Sequence, residues 1–204
     1  MKHKFAFFDF DDTLLPQDSM KRLIFFCLKR HPFTCIHLFK MVFLGIAYGL
    51  KIISFIPLKQ AILFPLNHLS EEELKLFYEE CLIPNYYSNV VDELKQKKNE
   101  GYLIYLVSAS PEVYLKYTDL PIDVIIGTKT KEINGKNTSK IIGKNCKSEE
   151  KVRRIYEVLN EKKLEIDYEN SYGYSDSMTD LPMLELVKHR IRISKKDGSM
   201  SPFE

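Results

Sequence analysis

Three carboxylates stand within four positions near the start of the chain. The apolar run of residues 4–10 predicts a buried strand, and Asp9, Asp11 and Asp12 lie where that strand ends. Like charges this close ionise together only when a cation offsets them, and ligands of open parallel sheets bind at the carboxyl ends of strands. The cluster therefore predicts a magnesium site with a nucleophile. A turn followed by a helix cap is the alternative interpretation of the same residues.

A second segment, residues 106–112, has the composition of a phosphate-binding turn. An apolar strand ends at Ser108, and Ser110 is the predicted N-cap of a helix with Pro111 at its first position. The serine hydroxyl, the backbone N–H groups around Ala109 and the positive end of the helix would then face one anion. An ordinary helix cap has the same sequence, so this segment alone does not decide between the two.

Two later segments carry further charges. Lys151 falls in the first turn of a helix predicted to begin after Ser148. Lysine is disfavoured at this positive end of a helix. Considered alone, Lys151 is still better explained as a solvated surface lysine. Only together with the other motifs does its position favour a role in holding an anion. A short strand is predicted to end near Asp176, and Asp180 follows one helical turn later. These two acids match the first cluster as metal ligands.

The elements that must position these residues indicate an α/β fold. Strand-like runs separated by helical patterns predict a parallel sheet, and Asn134-Gly135 predicts a hairpin within residues 128–142. The gap between the first two strands is almost wholly helical, and Ser70 begins a capping-box pattern inside it. We predict a Rossmann-like core of residues 1–16 and 85–204 with an inserted all-helical cap of residues 17–84. The core strands are predicted at residues 4–10, 102–108, 122–126, 171–174 and 190–194.

Residues 34–56 are the most ambiguous segment. They are apolar almost all round, and one helix through them would place His37, Lys40, Lys51 and Ser54 in a single polar stripe. Two lysines within the segment disfavour a transmembrane span. A buried cap helix and an interfacial, lipid-facing helix both remain as interpretations.

Composition limits the classes of partner. The 204 residues carry 30 Lys and Arg against 28 Asp and Glu, a balance that does not favour nucleic acid as a partner. The charges are uneven, because Asp18 is the only acid from residue 16 to residue 70, against seven basic residues, so this segment should attract anions. The acids at positions 9–12 interrupt the N-terminal apolar run too early for a signal peptide. We therefore expect a cytoplasmic protein, and we interpret as reduced thiols its cysteines, Cys27, Cys35, Cys81 and Cys146.

The four motifs together resemble those of haloacid dehalogenase superfamily phosphatases, in the subclass with a helical cap inserted after the first strand. The order Asp-x-Asp-x-Thr, then Ser, then Lys, then Asp-x-x-x-Asp extends from residue 7 to residue 184. The resemblance implies that Asp9 is the nucleophile that takes up the phosphoryl group. It implies that Asp11 is the general acid for the leaving oxygen and then the base for the hydrolytic water.

The same resemblance implies the binding roles. Mg²⁺ would be held by Asp9, Asp176 and the carbonyl of Asp11, and Asp180 would support the metal through water or through Lys151. An acid at position 11 is typical of the phosphatases and phosphomutases of the superfamily. Asp12 is a departure, since many relatives have glycine there. The phosphoryl oxygens would be bound by Thr13, Ser108 and Ala109 and neutralised by Lys151.

The nearer resemblance is to the group of phosphoserine phosphatase and the helical-cap phosphatidylglycerophosphate phosphatases. Asp18 lies where phosphoserine phosphatases place an acid for the substrate amine, and it also suits the N-cap of the first cap helix. The basic, apolar cap favours a lipid or amphiphilic phosphomonoester over a small soluble one, with peripheral contact at the inner membrane surface. A phosphate-accepting receiver domain, which would not turn over, is disfavoured because it needs neither a cap nor Asp11.

Overall fold

The computed structural model describes residues 2–203 and is built around one central sheet. The strands of this sheet are β2 (Phe5–Phe8), β3 (Leu103–Pro111), β4 (Val124–Thr128), β8 (Tyr172–Ser175), β9 (His189–Ile193) and β10 (Met200–Pro202). They lie in the order β10-β9-β8-β2-β3-β4, and all neighbours are parallel except β10 and β9. The predicted α/β fold with a parallel sheet is confirmed. Two-stranded pairs are formed by β1 (Lys2–His3) with β7 (Glu165–Ile166) and by β5 (Thr130–Ile133) with β6 (Lys136–Ile141).

Strand β2 is buried on both faces, which explains why its sequence is apolar without alternation. Phe5 and Phe7 point to one side and pack edge-on against Tyr105. Phe8 points to the other side and stacks on Tyr174, with ring centroids 4.1 Å apart. The central strand is thereby fixed, and so is the position of the residues that follow it.

The long helical segment between β2 and β3 confirms the inserted cap, while its exact boundaries at residues 16–17 and 84–85 stay a prediction. The capping box at Ser70 is present, with Glu73 returning its side chain to the Ser70 backbone. The four cysteines are free. The cap contains α1 (Ser19–Arg30), α2 (Ile36–Gly49), α3 (Phe55–Ile62) and α4 (Glu71–Phe77). The core contains α5 (Ser88–Asn99), α6 (Glu112–Leu115), α7 (Glu149–Lys162) and α8 (Leu181–Leu184).

The two connections between cap and core lie side by side. The backbone N–H of Tyr87, on the returning connection, donates to the carbonyl of Leu14 on the outgoing one over 2.9 Å. The Tyr87 hydroxyl donates to the carbonyl of Lys195 over 2.6 Å. Both connections are thus tied to each other and to the loop after β9.

The predicted hairpin is confirmed. Asn134 and Gly135 have φ values of 52° and 72°, the left-handed conformation that a two-residue turn between antiparallel strands requires. The hairpin also contacts the cap, because the Asn67 side chain is bonded to both the backbone N–H and the hydroxyl of Ser139. The hairpin therefore helps to hold the cap on the core.

The prediction of one helix through residues 34–56 is wrong. The segment consists of a 3₁₀ turn, α2, an irregular connection and α3, and Lys51 in the connection has a φ of 58°. Pro57 explains the break, since proline is tolerated in the first turn of a helix and not in its interior. Lys51 and Ser54 lie outside α2, so the predicted single polar stripe does not form. The buried-helix interpretation is wrong too, because α2 contains no buried residue.

Candidate active site

The candidate residues meet at the carboxyl ends of three neighbouring strands. Asp9 follows β2, Ser108 lies near the end of β3, and Asp176 follows β8. Because β2 lies between β3 and β8 in the sheet, these three positions share one edge. Lys151 reaches this edge from the first turn of α7.

Lys151 lies at the centre of the cluster. Its Nζ is 2.7 Å from Oδ1 of Asp9 and 2.8 Å from Oδ1 of Asp180, and all three side chains are buried. The surface-lysine interpretation is therefore wrong. Burial lowers the pKa of Lys151, but the two carboxylates outweigh it and hold the pKa above its usual value. Lys151 is thus a fixed positive charge.

Burial raises the pKa of Asp9 well above its usual value, the Lys151 ammonium opposes this, and the charges of Asp180 and Asp176 add to the increase. A carboxylate in such surroundings remains ionised only with compensating positive charge nearby. Two ammonium groups face three buried acids here, because Lys151 contacts Asp9 and Asp180 while Lys195 contacts Asp176. The acids keep an excess of negative charge, which suits a further cation.

Thr13 is the residue that holds Asp176 in place. Its hydroxyl donates to Oδ1 of Asp176 and accepts from the Asp176 backbone N–H, each over 3.1 Å. The other carboxylate oxygen of Asp176 is 2.8 Å from the Nζ of the half-exposed Lys195. The structure thus brings Thr13 to Asp176, and the binding of phosphoryl oxygens by Thr13 stays a prediction.

Asp11 is held on the cap side of the cluster. Oδ1 accepts from the backbone N–H of Ser19 over 2.6 Å, and Oδ2 accepts from the hydroxyl of Ser110. Burial, with the charge of Asp18 as the next cause, raises the pKa of Asp11 to about 6. A carboxyl group with a pKa near neutrality can both donate and accept a proton, which suits acid/base chemistry.

The serine segment is arranged differently from the prediction. Strand β3 continues through Pro111, and α6 is only four residues long with Pro111 as its N-cap. Ser110 is therefore not the cap, because its hydroxyl is engaged by Asp11 instead. Ser108 is buried and its hydroxyl accepts from the Ser110 backbone N–H over 3.0 Å. The groups predicted to bind an anion here, the hydroxyl of Ser108 and the backbone at Ala109, lie within a strand and not at the start of a long helix. Their binding of phosphoryl oxygens stays a prediction.

Two acids near the cluster have conformational roles. Asp12 has a φ of 59°, the left-handed conformation that glycine adopts at least cost. Its carboxylate accepts from the backbone N–H of Gln17 and from Lys195. Asp18 is confirmed as the N-cap of α1, accepting from the backbone N–H groups of Met20 and Lys21. Its predicted contact with a substrate amine stays a prediction.

Lys59 is the site residue that sequence reasoning missed. It belongs to α3 of the cap, is buried, and its Nζ lies 2.6 Å from the carbonyl of Ala109. Its other acceptors are the hydroxyl of Thr128 and the side-chain oxygen of Asn145. All three partners are neutral, so within residues 2–203 this ammonium contacts no carboxylate. A single lysine in an apolar helix gave no signal of this position.

The pKa of Lys59 gives a test of its charge. Burial lowers that pKa to about 8, so Lys59 is cationic below pH 8 and neutral above it. If its charge attracts the anion bound beside Ala109, inhibition by sulfate should weaken about three- to tenfold as the pH rises from about 7 to about 9.5. Sulfate is chosen because its own charge is constant over this range. Lys59→Met should remove the pH dependence, and equal pH profiles for both proteins would contradict the idea.

The donor set fits Mg²⁺ as the cation. Oxygen ligands from one or two carboxylates, completed by water and substrate oxygens, are what Mg²⁺ usually takes in proteins. Asp9 and Asp176 supply such oxygens. Within residues 2–203 no group of three or more His, Cys, Asp or Glu side chains is arranged to hold a metal ion by itself. Asp180 has its oxygens on Lys151 and Ser175, and its support of the metal through water or through Lys151 stays a prediction.

Comparisons with known proteins agree with this geometry. A family model described as haloacid dehalogenase-like hydrolase matches residues 6–185. A crystal structure of a protein of unknown function from Bordetella pertussis Tohama I is 26% identical, with a TM-score of 0.77, covering 95% of this chain and 91% of that one. A substrate-bound phosphoserine phosphatase complex is 16% identical, with a TM-score of 0.65 and coverages of 95% and 87%.

A further similar structure is that of a phosphoserine phosphohydrolase-like protein from Francisella tularensis, at 19% identity and a TM-score of 0.62, covering 93% of this chain and 87% of that one. At these identities the two phosphoserine-type structures show a shared fold. A search of curated proteins gave no match.

Proposed function

Because this chain belongs to the haloacid dehalogenase-like hydrolase family, we propose that it is an Mg²⁺-dependent phosphomonoester hydrolase with an aspartyl-phosphate intermediate. The observation that carries the proposal is the contact of Lys151 with both Asp9 and Asp180. It places a fixed positive charge against a carboxylate at the end of the central strand. Phosphoryl transfer depends mainly on positioning and on such charges.

The proposed reaction has two displacements. An oxygen of Asp9 attacks phosphorus, and the bond to the ester oxygen breaks while protonated Asp11 gives that oxygen its proton. Asp11, now a carboxylate, then takes a proton from water, whose oxygen attacks the phosphorus of the aspartyl phosphate. Phosphate leaves and Asp9 is regenerated. Splitting the reaction in this way replaces one difficult step with two easier ones.

The other residues bind and orient. Lys151 and the hydroxyl of Ser108 would hold phosphoryl oxygens, while Thr13 keeps Asp176 in position. Mg²⁺, held by Asp9, Asp176 and the carbonyl of Asp11, would supply positive charge to the phosphoryl group. Asp180 would keep Lys151 directed at Asp9.

The first test is release of phosphate from a generic aryl phosphate in the presence and absence of metal. We expect chelation to abolish turnover and Mg²⁺ to restore it, because the acids around Asp9 repel one another without a cation. Turnover at full rate after complete removal of metal would contradict the proposal. Phosphorylation without repeated turnover would instead indicate a receiver-like, non-enzymatic domain.

Asp11→Asn tests the acid/base role. The amide keeps the shape of the side chain but can neither donate nor accept the transferred proton, so kcat should fall about 10²- to 10⁴-fold. Because hydrolysis needs the base, phosphorylated protein should accumulate with a substrate that has a good leaving group. Mass spectrometry of the intact protein measures that species. Unchanged kcat would assign Asp11 to structure alone.

The substrate we propose is an amphiphilic or lipid phosphomonoester. Support comes from the cap, where residues 19–70 contain no acid and the exposed surface is rich in large apolar side chains. A small phosphate of the phosphoserine type is the second candidate. It is favoured by Asp18, which lies close enough to Asp11 for its charge to raise the pKa of the Asp11 carboxyl group. Rates for phosphoserine and for lysophospholipid phosphates of increasing tail length separate the two. The protein would act at the cytoplasmic face of the inner membrane.

A further inference from the structure

The outward face of α2 is apolar, which is the reverse of an ordinary surface helix. Ile36, Phe39, Phe43, Ile46 and Leu50 follow the helical repeat and, at about 100° per residue, fall within about 80° of one another. Each of these side chains is between 60% and 74% exposed. The apolar surface is extended by other exposed side chains of the same cap region, Phe33, Val42 and Ile52. We call these eight residues the α2 face.

The opposite side of α2 is attached to the protein at both ends. Near its start the ring of His37 stacks on Phe64 with centroids 4.9 Å apart, and its Nε2 is hydrogen-bonded to His68 over 3.0 Å. Near its end Tyr48 contacts Phe55 of α3, with ring centroids 5.5 Å apart. The helix therefore rests along the cap, and the α2 face cannot turn inwards without breaking these contacts.

The size and the charge of the α2 face indicate the kind of partner that it would contact. Single exposed apolar side chains are normal on a protein surface, but here eight large ones, each at least 60% exposed, are concentrated on one helix and the turns beside it. Such a concentration is typical of a surface that contacts another phase or molecule. Lys40 is exposed on α2, and Lys29 and Lys51, which precede and follow the helix in the sequence, are exposed as well. The sequence has no acid from residue 19 to residue 70. An apolar helix face in a segment that carries only basic charges is complementary to anionic lipid headgroups over acyl chains.

We propose that the α2 face docks on an anionic lipid bilayer, with α2 lying along the membrane surface. By length and composition Pro32–Gly49 is apolar enough to cross a membrane. The attachment of α2 at both ends argues against a crossing, because a spanning helix would leave His68, Phe64 and Phe55. The α2 helix alone, at 14 residues, is also only about 21 Å long, against a hydrocarbon core of about 30 Å.

The chain offers a direct test because it contains no tryptophan. Phe43→Trp places a single fluorophore on the α2 face, and Tyr156→Trp places one on the exposed side of α7 as the control. With vesicles of phosphatidylglycerol and phosphatidylcholine, we expect a blue shift and quenching by brominated acyl chains for Phe43→Trp only. The absence of both changes for Phe43→Trp would overturn the proposal.

A second arm measures binding by flotation. Phe39→Asp combined with Phe43→Asp should weaken vesicle binding about tenfold or more, while Tyr156→Asp combined with Tyr168→Asp should leave it unchanged. High salt or pure phosphatidylcholine should also weaken binding. Equal binding of both double variants would overturn the proposal. Retained turnover of a short aryl phosphate shows that the Phe39 and Phe43 variant is folded, so docking and catalysis are tested separately.

The wild type and the Phe39 and Phe43 variant also test two alternatives to a lipid surface as the partner of the α2 face. A dimer in analytical ultracentrifugation that becomes a monomer in the Phe39 and Phe43 variant, without vesicle binding by the wild type, would assign the α2 face to a second copy. Resistance of bound wild-type protein to extraction by alkaline carbonate would indicate a spanning segment. Either result overturns docking at the surface.

Discussion

Asp9→Asn is expected to lower turnover about 10⁶-fold, because an amide lacks the carboxylate oxygen that attacks phosphorus in the proposed reaction. The variant should fold normally. Asparagine removes one charge from a buried group of acids, and Lys151 keeps its contact with Asp180. Loss of activity would therefore report lost chemistry, and thermal unfolding with and without Mg²⁺ checks this.

The sharper measurement for Asp9 is phosphorylation itself. Rapid quenching with an aryl phosphate should show one phosphoryl group on the wild type and none on Asp9→Asn. Asp119→Asn is the matched control, since Asp119 is exposed and belongs to none of the four motifs. Phosphorylation of Asp9→Asn at the wild-type level would move the nucleophile to another residue.

Lys151→Ala should lower kcat about 10³- to 10⁵-fold, the range for removing a cation that neutralises a transferring phosphoryl group. It should also destabilise the protein, because Asp9 and Asp180 would be left buried without their shared partner. Breaking a buried ion pair costs about 3–5 kcal/mol. Mg²⁺ should return part of this stability to the variant, which thermal unfolding at increasing metal concentration would measure.

Lys147→Ala is the control for Lys151→Ala. Lys147 lies four residues earlier, is exposed, and precedes α7. Its removal should change neither kcat nor stability by a measurable amount. If the two substitutions had equal effects, Lys151 would act through the general charge of the region and not through its contacts with Asp9 and Asp180.

Sequence patterns correctly predicted those parts of the fold that depend on residues close together in the chain. The apolar run before Asp9, the Asn134-Gly135 turn and the start of α7 after Ser148 are each decided by neighbouring residues, and each was found. Ser110 was misplaced because its hydroxyl has a distant partner, Asp11, and the strand continues past it. A sequence pattern contains no information about such long-range contacts.

The cap was harder to predict for two physical reasons. A segment that is apolar all round has no periodic contrast, so the exposed side of α2 could not be identified before its packing was known. The contact of Lys59 with the carbonyl of Ala109 joins residues fifty positions apart on different domains. Neither residue has an unusual neighbour in sequence, so no motif marks the pair.

The backbone hydrogen bond between Tyr87 and Leu14 limits how the cap and the core can move relative to each other. Because this bond joins the two linkers, any separation of cap and core would pivot near it. If the cap rests on a bilayer through the α2 face, the cap is the stationary body and the catalytic domain is the one that swings. The angle through which the active site opens would then be measured from the plane of the membrane, and lipid packing would set the resistance to each opening.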